Sequence, residues 1–528
     1  MNKKFIISSE NISLKEITSF VLNRGNYFSI EISNECKIRI EESHLKIINL
    51  LESRTPIYGV TTGFGDSCFR SIPNEKSEEL QANLISYLLC GTGPILSPEA
   101  SRAVFLSRLI SLSRGYSGVS FDLIERMRMF LERDWIPVIP SQGSLGASGD
   151  LVPLAYLARI LQGEGSLFIK GEIKETKEVL GKAGVSSYRL KTKEGLAIVN
   201  GTSTMSGLCL VNLNQIRFLL DLICVASSWL CISLRGRKES FGVLINEKAK
   251  KFVGQKIVAQ RIRQILEQEE YRTTTLAEIK IHDNKIQEMI QDRYSLRCTP
   301  QILGPIMETI EEFDSWLDLE INGVSDNPLV DEDGELQMGG NFYGGYLSHG
   351  MDYLKICLGH MADLIDRQLM SLIDEKSNRG LPPNLAAWNL IPKEDQYLHH
   401  GLKGLHQSVS AITSEVLAKA TPNGIFSRSS ESHNQDKVSL GMSGAVQCSQ
   451  IIEQMYQISA MYFICLTQAL DLREFPVRGE ISRKVYSWVR DICPFVEGDR
   501  PLDLVITDMA KKLKELSKNQ KIFIKDNL

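Results

Sequence analysis

The chain has 528 residues, more than one small domain uses, so several lobes are expected. With 43% hydrophobic and 23% charged residues, it has material for a large core and does not read as a disordered chain. The 60 Lys and Arg stand against 64 Asp and Glu, a net charge of −4, which gives no global reason to expect nucleic acid or an anionic membrane as partner.

Taken in chain order, the N-terminal MNKKFIISSENISLKE turns polar after three apolar residues and so lacks the apolar core of a secretion signal. Ser97-Pro98-Glu99 offers an N-cap, a first-turn proline and an acid at the positive helix end. Val104, Phe105, Leu109 and Ile110 then recur at helical spacing until Gly115. Ser120 restarts a helix that ends before Trp135-Ile136-Pro137-Val138-Ile139-Pro140, where the prolines force an extended segment. Short strands are expected only near 166–173, and long helices at 204–237, 306–321, 349–375 and 437–472. The most membrane-like stretch, 206–234, is broken by Asn212, Asn214, Gln215, Arg217 and Asp221, which fits a helix buried in a bundle. The lysines of the tail (Lys511, Lys512, Lys514, Lys518, Lys521, Lys525) read as a solvated helix face.

These signals predict a mainly α protein: a long-helix bundle core with a loop-rich N-terminal domain carrying the active-site loops. Three consecutive domains are expected, at 1–203, 204–475 and 476–528. Glycine-rich loops fall at 59–65, 141–149, 163–165, 200–207, 339–345 and 423–424, where chemistry tends to sit. Eleven cysteines, none in a C-x-x-C pair, read as reduced, buried thiols of a cytoplasmic protein. No metal or dissociable cofactor is expected, since no His, Asp or Glu cluster has ligand spacing and no phosphate loop occurs.

The most informative segment is Gly143-Ser144-Leu145-Gly146-Ala147-Ser148-Gly149-Asp150-Leu151-Val152-Pro153-Leu154-Ala155. Small residues lead into a helix with Asp150 near its N-cap and Pro153 in its first turn, so Ala147-Ser148-Gly149 lie where backbone N–H groups favour negative charge. In a tight bend the unhindered Gly149 nitrogen can reach the Ala147 carbonyl carbon. Ring closure with loss of water, then loss of the Ser148 hydroxyl as water, leaves an electrophile that no ordinary side chain provides. Alone, Ala-Ser-Gly is far more often a turn and helix cap. A hydrolase elbow would need glycine where Asp150 stands.

This segment resembles the signature of the histidine, phenylalanine and tyrosine ammonia-lyases and related aminomutases. In that family Ala-Ser-Gly self-cyclises to methylidene-imidazolone. The resemblance covers roughly 55–475 and includes, in family order, Tyr58-Gly59-Val60-Thr61-Thr62-Gly63-Phe64-Gly65, the LAIVNG of 196–201, the QDRYSLRCTPQILG of 291–304, Gly339-Gly340-Asn341-Phe342 and Asn434-Gln435-Asp436.

The resemblance implies roles. Ala147, Ser148 and Gly149 would form the electrophile, Tyr58 would be the base that takes the β-proton, and Tyr294 would be the second active-site tyrosine. Arg297 would clamp the substrate carboxylate with a planar fork. Asn200, Asn327 and Gln435 would hydrogen-bond the electrophile or substrate, and Phe342 would pack near the ring. Read alone, these residues are a packing tyrosine, an ion-pairing arginine and turn-capping amides. Two departures stand out: Ser325 and Met338 replace the asparagine and histidine that the family usually carries there.

Within the family the substrate ring follows the two residues after L-Q-x-N-L-I-x, here Tyr87-Leu88. An aromatic followed by leucine resembles the phenylalanine pattern of bacterial phenylalanine ammonia-lyase, with Glu431 in the matching E-x-x-N-Q-D. The Tyr87 hydroxyl leaves tyrosine open, while Leu88 and Gln435 disfavour histidine. The expectation is elimination of ammonia from L-phenylalanine to trans-cinnamate. Tyrosine lyase, an aromatic 2,3-aminomutase or a catalytically silent homologue acting as a binding protein are the alternatives. The family forms homotetramers with shared active sites, so the implied partners are an aromatic amino acid and further copies of the chain.

Overall fold

The structure is a computed structural model, which describes residues 3–274, 276–282, 285–286 and 289–518. The predicted punctuation works as chemistry. Ser97 caps helix Pro98–Ser113 by accepting from Ala100 N at 3.2 Å, Gly115 follows with φ +83°, and helix Phe121–Glu132 starts after Ser120. Such a cap is worth about 1 kcal/mol. Chain segments separate into two compact units: Met1–Leu213 with Phe313–Asp352 and Pro422–Ser449, and Asn214–Glu312 with Tyr353–Thr421 and Gln450–Leu528. The division differs from the three consecutive segments expected, because 313–352 and 422–449 pack with the N-terminal residues.

The first unit is built around helix Pro98–Ser113, where all but the first two residues are buried. Gly207 lies in helix Ser203–Ser233, and a Cβ there would meet the backbone nitrogen of Val104 at 2.4 Å. Two helices thus touch backbone to backbone, which only glycine permits. The expected loop 200–207 therefore ends at Thr202, and Gly207 serves packing. Likewise the helix expected from 437 begins at Gly441, because Ser439 N and Leu440 N donate instead to Gly146 O at 3.2 Å and Leu145 O at 3.0 Å.

The hairpin Ser166–Ile169 with Glu172–Glu175 occurs where strands are expected. Strands are not restricted to that region, however. Lys3–Ile7 pairs in parallel with Tyr27–Ile32, while Thr92–Ile95 pairs antiparallel with Pro140–Gln142 and Leu329–Val330 with Leu336–Gln337. These strands are too short to show a period, apart from the alternation of buried Phe5 and Ile7 around exposed Ile6.

The second unit is helical throughout its core, with Trp229 edge-on to Phe463 at 5.7 Å between ring centres. Helix Ser203–Ser233 is long and apolar enough to cross a membrane, yet 89% of its most apolar window is buried in protein, as its polar interruptions imply. Lys511 and Lys512 are exposed while Lys514 and Lys518 pair with Glu453 and Glu515. Lys521 and Lys525 fall outside the described residues. All eleven cysteines are free. Cys68 and Cys90 are exposed and Cys298 is partly so, which corrects the expectation that all are buried.

Two glycines separate packing from conformational freedom. Gly207→Ala forces helix backbones apart and is expected to cost about 1–3 kcal/mol, whereas Gly181→Ala, in open space on helix Thr176–Ala183, gains about 0.5–1 kcal/mol. Thermal denaturation checks both, and equal midpoints for the two variants would sink the backbone-contact argument.

Candidate active site

Gly149 and Gly201 run side by side as a parallel bridge, with Asp150 N donating to Gly201 O at 2.7 Å. A Cβ on Gly149 would meet that same oxygen at 2.3 Å, and φ here is +74°. Glycine is thus required twice over, by space and by backbone sign. Helix Leu151–Leu161 begins immediately after, as expected. The Asp150 carboxyl caps nothing in its own helix. It turns away, accepting from Met205 N at 2.8 Å and Ser144 Oγ at 2.9 Å, so it ties the bend to the start of helix Ser203–Ser233. Burial pushes this carboxyl up from 3.8 to about 7, against the opposing hydrogen bonds from Met205 and Ser144.

The structure brings two of the predicted amides onto Ser148. Asn200 Nδ2 donates to Ser148 O at 2.9 Å, and Gln435 Nε2 donates to Ser148 Oγ at 3.1 Å. Ala147 and Ser148 are half-buried whereas Gly149 is buried. The tripeptide is therefore pinned at its carbonyl, its hydroxyl and its third residue, with one side open. Asn200 Oδ1 is buried without a hydrogen-bond partner, an orphaned acceptor beside the tripeptide. A sharp bend, a donor on the departing hydroxyl and small residues on either side fit a methylidene-imidazolone formed there.

The base candidate belongs to a second cluster in the same unit. Tyr58 Oη accepts from Gly65 N at 2.9 Å. Glu431 lies against Gly65, where a Cβ would fall 1.6 Å from its Oε1. Asn434 Nδ2 donates to Glu431 Oε2 at 3.1 Å, and Ser430 and Gln435 close the loop with paired backbone bonds at 3.0 and 3.2 Å. That loop carries Glu431, Ser432 and His433 in succession at φ +51°, +52° and +67°, strain that the surrounding contacts must offset. Burial raises the Tyr58 phenol, the Gly65 N–H opposes this, and Glu431 and Cys68 raise it further. Tyr87 is exposed along most of its side chain, yet desolvation of its hydroxyl end and then Glu431 and Tyr58 push it up to about 12. Leu88 is buried. Asn327 Oδ1 accepts from Gly339 N at 2.9 Å, and Phe342 sits half-buried in the short turn Asn341–Tyr343.

Tyr294 and Arg297 fall in the second unit, on the one-turn helix Tyr294–Arg297, and the guanidinium stacks over the phenol ring at 4.5 Å, as their three-residue spacing implies. Gln368 Nε2 to Ser295 O at 2.8 Å, with Arg379 to Asp292 at 2.6 Å, fixes this turn, and Arg297 Nε is buried without a partner.

With the pinned Ala-Ser-Gly bend in place, likeness to known proteins can be weighed. The aromatic amino acid lyase family matches residues 12–491. This chain belongs to that family, whose ammonia-lyases break a carbon–nitrogen bond. It is 32% identical to a probable histidine ammonia-lyase of Thermoplasma volcanium over 98% of this chain and 99% of that one. Against a tyrosine ammonia-lyase of Cereibacter sphaeroides the identity is 34%, over 92% and 94%. The solved Pantoea agglomerans phenylalanine aminomutase superposes with TM-score 0.91 at 30% identity, over 98% of this chain and all of that one.

Sequence reasoning missed several buried groups. Gln81 donates to Gly59 O at 2.9 Å and accepts from Leu196 N at 2.8 Å, locking the turn after Tyr58 to helix Glu194–Val199. Lys193 and Asp326 form a fully buried pair at 2.8 Å beside Asn327, and Arg108 lies buried behind Asn200. Their signal was available: charged residues interrupting the apolar run of 98–113, or next to LAIVNG, are expensive without partners.

The Asp150 carboxyl predicts a pH dependence. Between about 3.8 and about 7 the folded chain holds a proton that the unfolded chain has lost. Its contribution to stability therefore falls as pH rises through that window and is flat above it. Asp150→Asn keeps one donor and one acceptor, so the stability difference between wild type and variant should shift in the variant's favour from pH 4 to pH 7. A difference that does not change with pH overturns the assignment.

Proposed function

We propose that the chain is an aromatic amino acid ammonia-lyase acting on L-phenylalanine to give trans-cinnamate, with a methylidene-imidazolone formed from Ala147, Ser148 and Gly149. The observation that carries this reading is the double restraint on Ser148 by Asn200 and Gln435 at a bend that only glycine can close. The ring supplies an electrophile that helps the amine depart, which no side chain here can do.

The remaining work falls to ordinary groups. Tyr58 removes the β-proton. A phenol of ordinary pKa about 10 is little ionised near neutrality, and burial with Glu431 lowers the ionised fraction further in the single chain. The Gly65 N–H is the donor that favours phenolate. An ammonium group brought near Glu431 by the substrate cancels the charge that opposes phenolate, so binding itself readies the base. Arg297, with its orphaned Nε, holds the carboxylate, and Tyr294 beneath it contributes a second phenol. We assign the complete site to a homotetramer in which neighbouring copies contribute these two residues, in the cytoplasm, with no dissociable cofactor or metal.

Phenylalanine is favoured by the Tyr87-Leu88 pair with its apolar leucine. Tyrosine is the second reading, because the Tyr87 hydroxyl near Glu431 offers a polar end to the pocket. A site hydroxyl can discriminate roughly 10⁴-fold when a buried partner is left unpaired. An aminomutase would use the same residues and return ammonia to the β-carbon.

Purified protein with L-phenylalanine, L-tyrosine and L-histidine in turn, followed in the near ultraviolet, tests the proposal. An arylacrylate band should grow with phenylalanine and vanish in Ser148→Ala. Tyr58→Phe should lower kcat by about 10²–10⁴. A band with tyrosine alone keeps the chemistry and overturns the substrate, and a β-amino acid product overturns the lyase outcome.

A further inference from the structure

Arg108 sits in the middle of helix Pro98–Ser113 and is wholly buried. Its hydrogen bonds go to neutral oxygens. Nε donates to Ala197 O at 3.0 Å, one terminal nitrogen donates to Asn200 O at 2.9 Å, and the other donates to Ser325 Oγ at 3.3 Å. A cation stripped of water and given no hydrogen-bonded carboxylate is expensive. The charges of Asp326 and Asp150 offset part of that cost, and burial still pulls the guanidinium down to about 10.

The three acceptors share a location. Ala197 lies in the last turn of helix Glu194–Val199, Asn200 directly follows that helix, and Ser325 Oγ in turn accepts from Thr202 N at 3.2 Å. A Cβ on Gly201 would fall 2.1 Å from the guanidinium, so the fork also closes against that residue. Arg108 therefore grips the connection 200–202 from both sides. This is the connection whose Asn200 side chain holds Ser148 O and whose Gly201 carbonyl holds Asp150 N.

We infer that Arg108 is a positioning residue for ring closure: it fixes Asn200 and Gly201 at the distance from which they bend Ala147-Ser148-Gly149, with Ser325 as part of the same clamp. The inference rests on the self-formed electrophile proposed above. It also gives the Ser325 departure a purpose, since the short hydroxyl is shared between Arg108 and Thr202. A purely structural role has Arg108 capping the carbonyls at a helix C-terminus. That role predicts lost stability and nothing specific to the ring.

Intact mass of the full-length chain separates the two, because ring formation removes two waters. Wild type should show the deficit and Ser148→Ala should not. Arg108→Met should acquire it at least about tenfold more slowly than wild type, and Arg108→Lys, which keeps the charge without the planar fork, should recover part of the rate. Asn200→Ala should be slow as well, and Arg108→Met should slow that variant by a smaller factor than it slows wild type, since the amide that Arg108 positions is then missing. Complete and rapid ring formation in Arg108→Met, or additive slowing in the double variant, overturns the inference. If Arg108→Met does not fold, Arg108→Lys and Ser325→Ala take its place in the cycle against Asn200→Ala: slowing that does not add supports the clamp, and rapid closure or additive slowing overturns it. A wild-type chain without the deficit overturns this inference together with the electrophile, whereas normal wild type with normal Arg108 variants overturns this inference alone.

Discussion

Two peptide segments, at Gly149 and Gly201, approach so closely that a Cβ on Gly149 would fall 2.3 Å from the Gly201 carbonyl oxygen, while Arg108 and Ser325 fill the space beside Gly201. Much of the first unit is arranged to hold that approach. The Asp150 N–H is satisfied across it, at 2.7 Å, and the Asp150 side chain does not cap its own helix. It reaches the first turn of the next helix instead, accepting from Met205 N. Gly146 O, three residues before Gly149, receives Ser439 N. The segment bearing Gln435 thus docks on one side of the bend while Asn200 holds the other. Gly207 belongs to the same constraint, since helix Ser203–Ser233 can begin beside the bend only if it lies against the backbone of Pro98–Ser113.

Holding a bend this tightly requires polar groups in places where water cannot reach. Arg108, Asp150, Lys193, Glu194 and Asp326 are all fully or almost fully buried in one unit. Each is satisfied by backbone or by a neighbour. Glu194 accepts from Ser120 Oγ at 2.6 Å and Lys191 N at 2.8 Å, and Lys193 pairs with Asp326. Apolar residues of equal volume would cost less. What the charged groups add is direction: Arg108 fixes the carbonyls of Ala197 and Asn200, Glu194 the Lys191 N–H, Asp150 the Met205 N–H and Asp326 the Asn327 N–H. Stability is thus exchanged for geometry at the reactive bend.

What is legible in the sequence follows from the range of the forces involved. Helix Pro98–Ser113 is legible because its cap, its proline and its terminal glycine act within a few residues. The pairing of Tyr294 with Arg297 is legible for the same reason, three residues being one helical turn. The strand Lys3–Ile7 is not, since its partner lies some twenty residues on and its five residues show one and a half periods of alternation. Gly207 reads as loop because a glycine forced by a neighbouring helix carries no local mark. The site residues Tyr58, Asn200 and Gln435 are reached by resemblance, and it is the fold that shows Asn200 and Gln435 on one serine. Arg108 and Gln81 escape both routes. Most of their partners are remote backbone atoms, at Ala197, Asn200, Gly59 and Leu196, which neither a motif nor a periodicity names.

Two tyrosines of the first unit, Tyr58 and Tyr87, stand in one electrostatic setting. Tyr58 and Tyr87 both sit in the field of Glu431, and both phenols are held above their ordinary value. They differ in what faces the oxygen. Tyr58 has the Gly65 N–H aimed at it from 2.9 Å, fixed by a turn that needs glycine because Glu431 fills the space of a Cβ. Charge on that oxygen therefore has a prepared donor, whereas the Tyr87 hydroxyl, pushed up to about 12, stays protonated. The glycine that admits Glu431 also supplies the N–H that opposes it. A larger residue at position 65 would displace the carboxylate and distort the donor together, so the Tyr58 phenol and the Glu431 carboxylate are coupled through a single backbone position. That coupling fits the role proposed for Tyr58, in which proton removal waits until a cationic substrate has arrived.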